Sequence, residues 1–229
     1  MTIGIIGAMD EEIANLKDNM SNKQEIEIAN CLFVQGQLRN KDIVLLKSGI
    51  GKVNAAMATT IMHERFAPSH VINTGSAGGF AKELEVGDVV ISTQVVHHDV
   101  DATVFDYAYG QVPGMPAMYA ADTALIELAV KAMEDLQIPA KTGIIATGDS
   151  FMASPERVQF VNEKFPTMLA AEMEAAAIAQ VCHQYAKPFV ITRALSDIAG
   201  KESSVSFDAF LEKAAQNAAR LVMTMVEQL

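Results

Sequence analysis

The chain has 229 residues, half of them hydrophobic, which is enough for one sizeable core. Its 28 acidic residues outnumber 17 basic ones, giving a formal net charge of -11. That balance argues against a nucleic-acid backbone or an anionic membrane as partner, and it leaves room for a small neutral or zwitterionic substrate. Only five of the basic residues are arginines, the usual fork for phosphate, so a site built from many phosphate contacts is disfavoured. No run of about 18 apolar residues occurs, so no membrane-spanning helix is expected. The apolar start, Met1 to Met9, has no basic lead-in and no small-residue cleavage site, so it does not read as a signal peptide. Two cysteines, Cys31 and Cys182, cannot build a disulfide framework. A cytoplasmic location is the resulting expectation.

Taken in chain order, Thr2 to Ile6 is a short apolar run that predicts a strand, with Gly7 as a turn and a helix from Asp10 to Asn19. Residues 26–29 and 32–37 predict a hairpin, and 42–48 another strand ending at Gly49 and Gly51. A helix is expected over Val53 to Phe66. Val71 to Asn73 predicts a short strand running into Thr74-Gly75-Ser76-Ala77-Gly78-Gly79. Residues 88–96 form a further strand. From His97 to Tyr119 there is no clean period, and Pro113 and Pro116 interrupt it, which predicts a functional loop or an interface arm. Next come a helix over Asp122 to Leu136, a strand at 142–147, and a helix over Pro155 to Lys164. Ser154 is the expected N-cap of that last helix, with Pro155 at its first position. An alanine-rich helix is expected over Glu172 to Tyr185, a buried strand over Phe189 to Leu195, and a closing helix over Ser206 to Gln228.

Alternating strands and helices, with several continuously apolar strands, predict a single α/β domain: a mostly parallel or mixed sheet with helices on both faces. Ligands of such sheets sit beyond the carboxyl ends of the strands. The segments expected there are 7–12, 48–52, 74–79, 148–153 and 196–199.

Gly49-Ile50-Gly51-Lys52 lacks the third glycine of a dinucleotide fingerprint, and no Walker-type Gly-Lys-Ser/Thr is present. Gly75 to Gly79 reads either as a ligand-approaching segment or as a tight strand-to-helix turn. His97-His98-Asp99 with Asp101 invites a metal. Adjacent strand residues face opposite ways, however, so His97 and His98 would not chelate one ion together. Asp10-Glu11-Glu12 at a helix N-terminus fits dipole complementation, or one acid facing the strand-end crevice. A carboxylate there would repel a phosphate at the place where nucleotide enzymes put one. Glu172 and Glu174, two apart on a predicted helix, would point about 200° from each other and could not share a site. Asp197 after an apolar strand reads as a cap or turn residue, whereas Arg193 inside that strand requires buried partners. The residues alone lead to an α/β enzyme or binding protein with acids at several strand ends, and paired carboxylates point to glycosyl chemistry.

Seven segments together carry a resemblance. They are Gly4-Ile5-Ile6-Gly7-Ala8-Met9 with Glu11-Glu12, Lys47-Ser48-Gly49-Ile50-Gly51-Lys52-Val53, Asn73 to Gly79, Gly110-Gln111-Val112-Pro113-Gly114, Gly148-Asp149-Ser150-Phe151, Glu172-Met173-Glu174-Ala175, and Arg193-Ala194-Leu195-Ser196-Asp197. In this order, over the whole chain, they resemble the 5'-methylthioadenosine/S-adenosylhomocysteine nucleosidases. The resemblance implies a three-layer αβα sandwich around a twisted mixed sheet, of the nucleoside phosphorylase type, acting as a homodimer without metal or cofactor. It implies hydrolysis of both thio-nucleosides, and of 5'-deoxyadenosine, to adenine and a sugar, in methionine salvage and the recycling of S-adenosylmethionine by-products. Under the same resemblance, Glu12 activates water and Asp197, oriented by Ser196, protonates adenine N7. Donation requires Asp197 to be protonated, so a perturbed titration is expected there. Glu174 holds the ribose hydroxyls with Met173 beneath the sugar, and Arg193 and Ser76 help to position the water. Phe151 stacks on adenine, the Met152 backbone hydrogen-bonds it, and Phe207 closes over it. Met9 and Ile50 line the sugar and 5'-thio pocket, with Ala8 and Gly78 as further contacts. Phe105 and Pro113 come from the partner subunit. The rival readings are a purine nucleoside phosphorylase of the same fold and a non-catalytic nucleoside-binding protein.

Overall fold

The computed structural model describes residues 1–199 and 203–229, with side chains described throughout except at 203–209. The chain opens with β1 (Ile3–Gly7), α1 (Asp10–Asn19), β2 (Ser21–Ile28), β3 (Cys31–Leu38), β4 (Lys41–Lys47), α2 (Lys52–Phe66) and β5 (His70–Gly79). It continues with β6 (Val89–His97), a 3-10 turn (Thr103–Phe105), β7 (Tyr119–Ala120), α3 (Thr123–Leu136), β8 (Ala140–Thr147) and α4 (Pro155–Lys164). It closes with β9 (Met168–Glu172), α5 (Ala175–Gln184), β10 (Phe189–Ile198) and α6 (Ser203–Gln228).

The strands form one mixed sheet in the order β10-β6-β8-β9-β5-β1-β4-β3-β2. β1 lies parallel between β4 and β5, pairing Ile5 with both Leu45 and Ile72. β5 is the trunk. Its first half pairs with β1, its last two glycines pair antiparallel with β9, and β10 runs parallel along its length. Because β10 also pairs with β6, strands β5, β10, β6, β8 and β9 close on themselves. Beyond β5, the strands β1, β4 and β3 extend outward to the exposed β2, while β7 pairs with β6. Both hairpin turns there, Ala29-Asn30 and Arg39-Asn40, have two consecutive residues at positive φ. That is the primed turn whose twist matches the flanking strands.

Period-two alternation sorts the core into two layers. Ile5, Leu45, Ile72 and Val190 face α1, α3 and α6 through Leu16, Ala129 and Val222. Ile6, Val44, Leu46 and Ile191 face α2 and α5 through Ala58, Met62 and Ile178. Helix ends follow local chemistry. Asp122 accepts from Leu125 N at 3.1 Å to cap α3, and Ser154 Oγ accepts from Arg157 N at 3.4 Å to cap α4. No helix among the described residues is long and apolar enough to cross a membrane.

Three expectations are corrected. Residues 74–79 are not a turn: β5 continues through them to Gly79. The alanine-rich helix begins at Ala175, because Met168–Glu172 is a separate strand, β9. β10 runs on through Ser196 and Asp197, so Asp197 is a strand residue rather than a cap. The long segment after β6 has only a 3-10 turn and the two-residue β7.

Leu45 is fully buried between the strand layer and α1/α6. Leu45→Ala should lower the unfolding free energy by about 2–5 kcal/mol, read as a lower urea midpoint at unchanged m-value.

Candidate active site

α1 starts where β1 ends. Its acids separate by position: Asp10 pairs with Lys47 at 2.8 Å and Glu11 is exposed, while Glu12 is buried. Glu12 Oε2 accepts from Ala8 N at 2.7 Å and from Met9 N at 3.3 Å. Its Oε1 accepts from Ser76 N at 2.9 Å and from Ser76 Oγ at 3.1 Å. The carboxylate therefore takes up the amides of Ala8 and of the N-cap Met9 and puts its own negative charge at this helix N-terminus, where it would repel an anion.

Gly75 explains the glycine run in β5. A Cβ there would lie 2.1 Å from Arg193 Nη1 and 2.6 Å from Glu12 Oε1. The missing side chain lets a buried guanidinium from β10 and a carboxylate from α1 reach the same point.

Arg193 is fully buried. Its Nη2 donates to Asn73 Oδ1 at 2.8 Å and to Glu172 Oε2 at 2.5 Å, and lies 3.5 Å from Glu174 Oε2. Among the described residues, its Nε and Nη1 have no hydrogen-bond partner. Burial alone would push the guanidinium down, but the surrounding Glu172, Glu174 and Glu12 carboxylates hold it above its usual value.

Glu172, to which the sequence reading gives no role in the site, is the junction of this network. Beyond Arg193, its Oε2 accepts from Glu174 N at 2.9 Å and Ala175 N at 2.8 Å, and its Oε1 accepts from Thr147 Oγ1. The expectation that Glu172 and Glu174 cannot share a site is overturned. Glu172 ends a strand and Glu174 is the non-helical N-cap of α5, so the helical angle between them does not apply. Both line one cavity. Glu174 Oε1 accepts from Gly51 N at 2.9 Å. Burial, reinforced by Glu172, raises its pKa to about 8, against the opposing pull of Arg193.

Across the site, a bulge in β10 sets Ser196 apart from the pairing, so that Leu195 faces Ala77 and Asp197 faces Gly78. Bulges re-aim side chains in this way beside functional sites. Ser196 Oγ donates to Asp197 Oδ1 at 3.0 Å, and both residues are buried. Asp197 Oδ2 lies 3.2 Å from where a Gly78 Cβ would be.

These groups surround a cavity of about 320 Å³. Its polar wall is Glu12, Ser76, Glu172, Glu174, Ser196 and Asp197, and its apolar wall includes Ala8, Met9, Ile50, Gly78, Phe151 and Met173. Every predicted strand-end segment contributes, together with the missed end of β9. Met152 is buried against Val161 and Phe165, its side chain away from the cavity wall. Phe105 and Pro113 are exposed and outside the cavity. The side chain of Phe207 lies outside the described residues. His97 and His98 diverge: His97 Nε2 lies 3.1 Å from Gln180 Oε1, whereas the His98 ring packs against Gly148.

The raised pKa of Glu174 has a stability consequence. The folded chain holds this proton to about pH 8, while an ordinary glutamate releases it near 4.5. Folding therefore takes up a proton between those values, and the stability tied to Glu174 declines as pH rises through that window. In Glu174→Gln this decline should disappear, so the variant should gain stability relative to the parent between about pH 5 and 8. Urea midpoints across pH test this, and parallel curves would contradict it.

A family model for the phosphorylase superfamily matches residues 2–227. A 5'-methylthioadenosine/S-adenosylhomocysteine nucleosidase of Oceanobacillus iheyensis is 66% identical over 229 residues, covering 100% of both chains. Among solved structures, the Neisseria meningitidis nucleosidase in complex with methylthio-immucillin-A superposes with a TM-score of 0.98 at 49% identity, covering 100% of this chain and 99% of that one. The Colwellia psychrerythraea nucleosidase in complex with adenine gives a TM-score of 0.98 at 51% identity, covering 100% and 96%. With its polar cavity at the strand ends and this likeness along its full length, the chain belongs to the 5'-methylthioadenosine/S-adenosylhomocysteine nucleosidase family of the phosphorylase superfamily.

Proposed function

We propose that this chain hydrolyses the N-glycosidic bond of 5'-methylthioadenosine and S-adenosylhomocysteine, and of 5'-deoxyadenosine, releasing adenine and the corresponding sugar. The observation that carries the reading is the placement of two buried acids along β5. Glu12 packs at Gly75 and Asp197 at Gly78, and both line the one cavity. Two separately anchored acids at one cavity suit a water at one and a leaving group at the other.

In this reading Glu12, with Ser76 and the Nη1 of Arg193, holds a water and takes its proton. Asp197, steadied by Ser196, delivers its proton to N7, so adenine leaves as a neutral base rather than an anion. The ribose passes through a cationic state, and the carboxylates of Glu12 and Glu172 outweigh the single charge of Arg193 around it. Glu174 also holds the ribose hydroxyls over Met173, with Met9, Ile50, Ala8 and Gly78 along the sugar. Phe151 stacks on adenine, and the Met152 backbone hydrogen-bonds it.

The partner is a second copy of the chain. Val104 and Phe105 are 83% and 72% exposed, and Val53 and Met57 present apolar side chains one helical turn apart on α2 beside Ile50. Phe105 and Pro113 of that copy would complete the 5' end of the site. The enzyme works as a single-domain homodimer in the cytoplasm.

Incubation with 5'-methylthioadenosine should release adenine and free methylthioribose equally well with and without phosphate. A sugar 1-phosphate formed only with phosphate would make it a phosphorylase, and no adenine in either case would favour a binding protein. Glu12→Gln and Asp197→Asn should each lower kcat by about 10²–10⁴-fold while nucleoside binding persists. A pH–rate profile whose acidic group survives Asp197→Asn unchanged would refute the role of Asp197.

A further inference from the structure

Three loops meet beside the sugar end of the cavity, and a closed ring of hydrogen bonds joins them. Asp99, just beyond β6, receives Lys52 Nζ on Oδ1 at 2.6 Å and Asp149 N on Oδ2 at 3.0 Å. Asp149, just beyond β8, receives Lys52 N on Oδ1 at 2.8 Å. Lys52 is thus held at both its side chain and its amide, and the residue before it, Gly51, is the one whose amide donates to Glu174. Gly51 has φ +95°, and a Cβ on it would sit 3.2 Å from Asp149 Oδ1, so the carboxylate packs directly over a backbone only glycine adopts with ease. The Lys52 and Asp99 side chains are only 20% and 18% exposed, so water and salt screen the pair less than they would a surface ion pair. None of the three residues lines the cavity.

We propose that Asp99 is a positioning residue for this reaction: through Lys52 and Asp149 it fixes the Gly51 amide on Glu174 and so orients the carboxylate that holds the ribose. The role rests on the assignment of Glu174 to the ribose hydroxyls. Geometry supplies the reason. Glu174 is the N-cap of α5 but makes no side-chain cap bond within its own helix. Its Oε1 is therefore steered by a donor from another loop, and that loop is pinned from outside the cavity. Burial acts to raise the pKa of Asp99, yet the Lys52 ammonium and the Asp149 amide together hold it below its usual value, so the carboxylate is charged as the ring requires.

Asp99→Asn keeps an acceptor for Asp149 N and removes the charge that binds Lys52, and Lys52→Met removes the same pair from the other end. In both variants KM for 5'-methylthioadenosine should rise about tenfold, with kcat within about threefold of the parent. In a Glu174→Ala background, adding Asp99→Asn should change KM less than about twofold, because the residue through which Asp99 acts is gone. Amide hydrogen exchange at Gly51 and Lys52 should accelerate at least about tenfold in both single variants while β1 and β5 stay protected, a readout independent of turnover. Unchanged exchange at Gly51 would overturn the proposal, as would an undiminished KM effect in the Glu174→Ala background. A parent protein inactive on thio-nucleosides would overturn only the functional reading, and the exchange measurement would still decide whether Asp99 fixes Gly51.

Discussion

A fully buried guanidinium organises this molecule. Arg193 has no access to water, so its charge persists only because carboxylates accompany it. Those carboxylates come from two distant places in the chain: Glu172 and Glu174 at the β9–α5 junction, and Glu12 from α1. Each is anchored in turn by donors of other elements: Thr147 and the Ala175 amide for Glu172, Gly51 for Glu174, and Ser76 with the Ala8 amide for Glu12. The site is held by charge and backbone amides, with the apolar layers on either side of the sheet setting where the strand ends fall.

The closure of β5 with β10, β6, β8 and β9 makes this possible. In an open sheet the ends of β9 and β10 would lie far apart. Here β5 borders both, so Glu172 and Asp197 reach one cavity from its two sides. Glycines at 75 and 78 then admit a carboxylate to each of two points along a single strand. The ring through Asp99, Lys52 and Asp149 does a corresponding task from outside, tying the loops after β4, β6 and β8 together beside Gly51.

Much of this was legible in the sequence where local chemistry decides the outcome. The helix over Pro155–Lys164 begins and ends where its Ser-Pro signal and polar pattern place it, and α1 likewise spans Asp10–Asn19. The five strand-end segments expected to face a ligand all line the cavity. What failed was where tertiary contacts override composition. Glu172-Met173-Glu174-Ala175-Ala176-Ala177 reads as helix because every residue favours one, yet Glu172 pairs in β9 alongside Thr147. Glycine-rich 75–79 reads either as a ligand-approaching segment or as a turn, because the reason for Gly75 is a side chain 118 positions away, at Arg193. Asp197 reads as a cap because a bulge that depends on β5 register leaves no local mark. The ring around Asp99 is likewise long-range, and the His-His-Asp spelling drew attention to a metal instead of to Lys52.

The central claim is that Glu12, held by Ser76 and the Ala8 amide at the cavity wall, takes the proton of the attacking water. Glu12→Asp tests it most directly, because it keeps the acid and withdraws the carboxylate by one methylene from that position. The account predicts a folded protein that still binds 5'-methylthioadenosine but turns it over at least about 100-fold more slowly, the scale of a misplaced catalytic group. Turnover within about threefold of the parent, in a variant of unchanged fold, would contradict it.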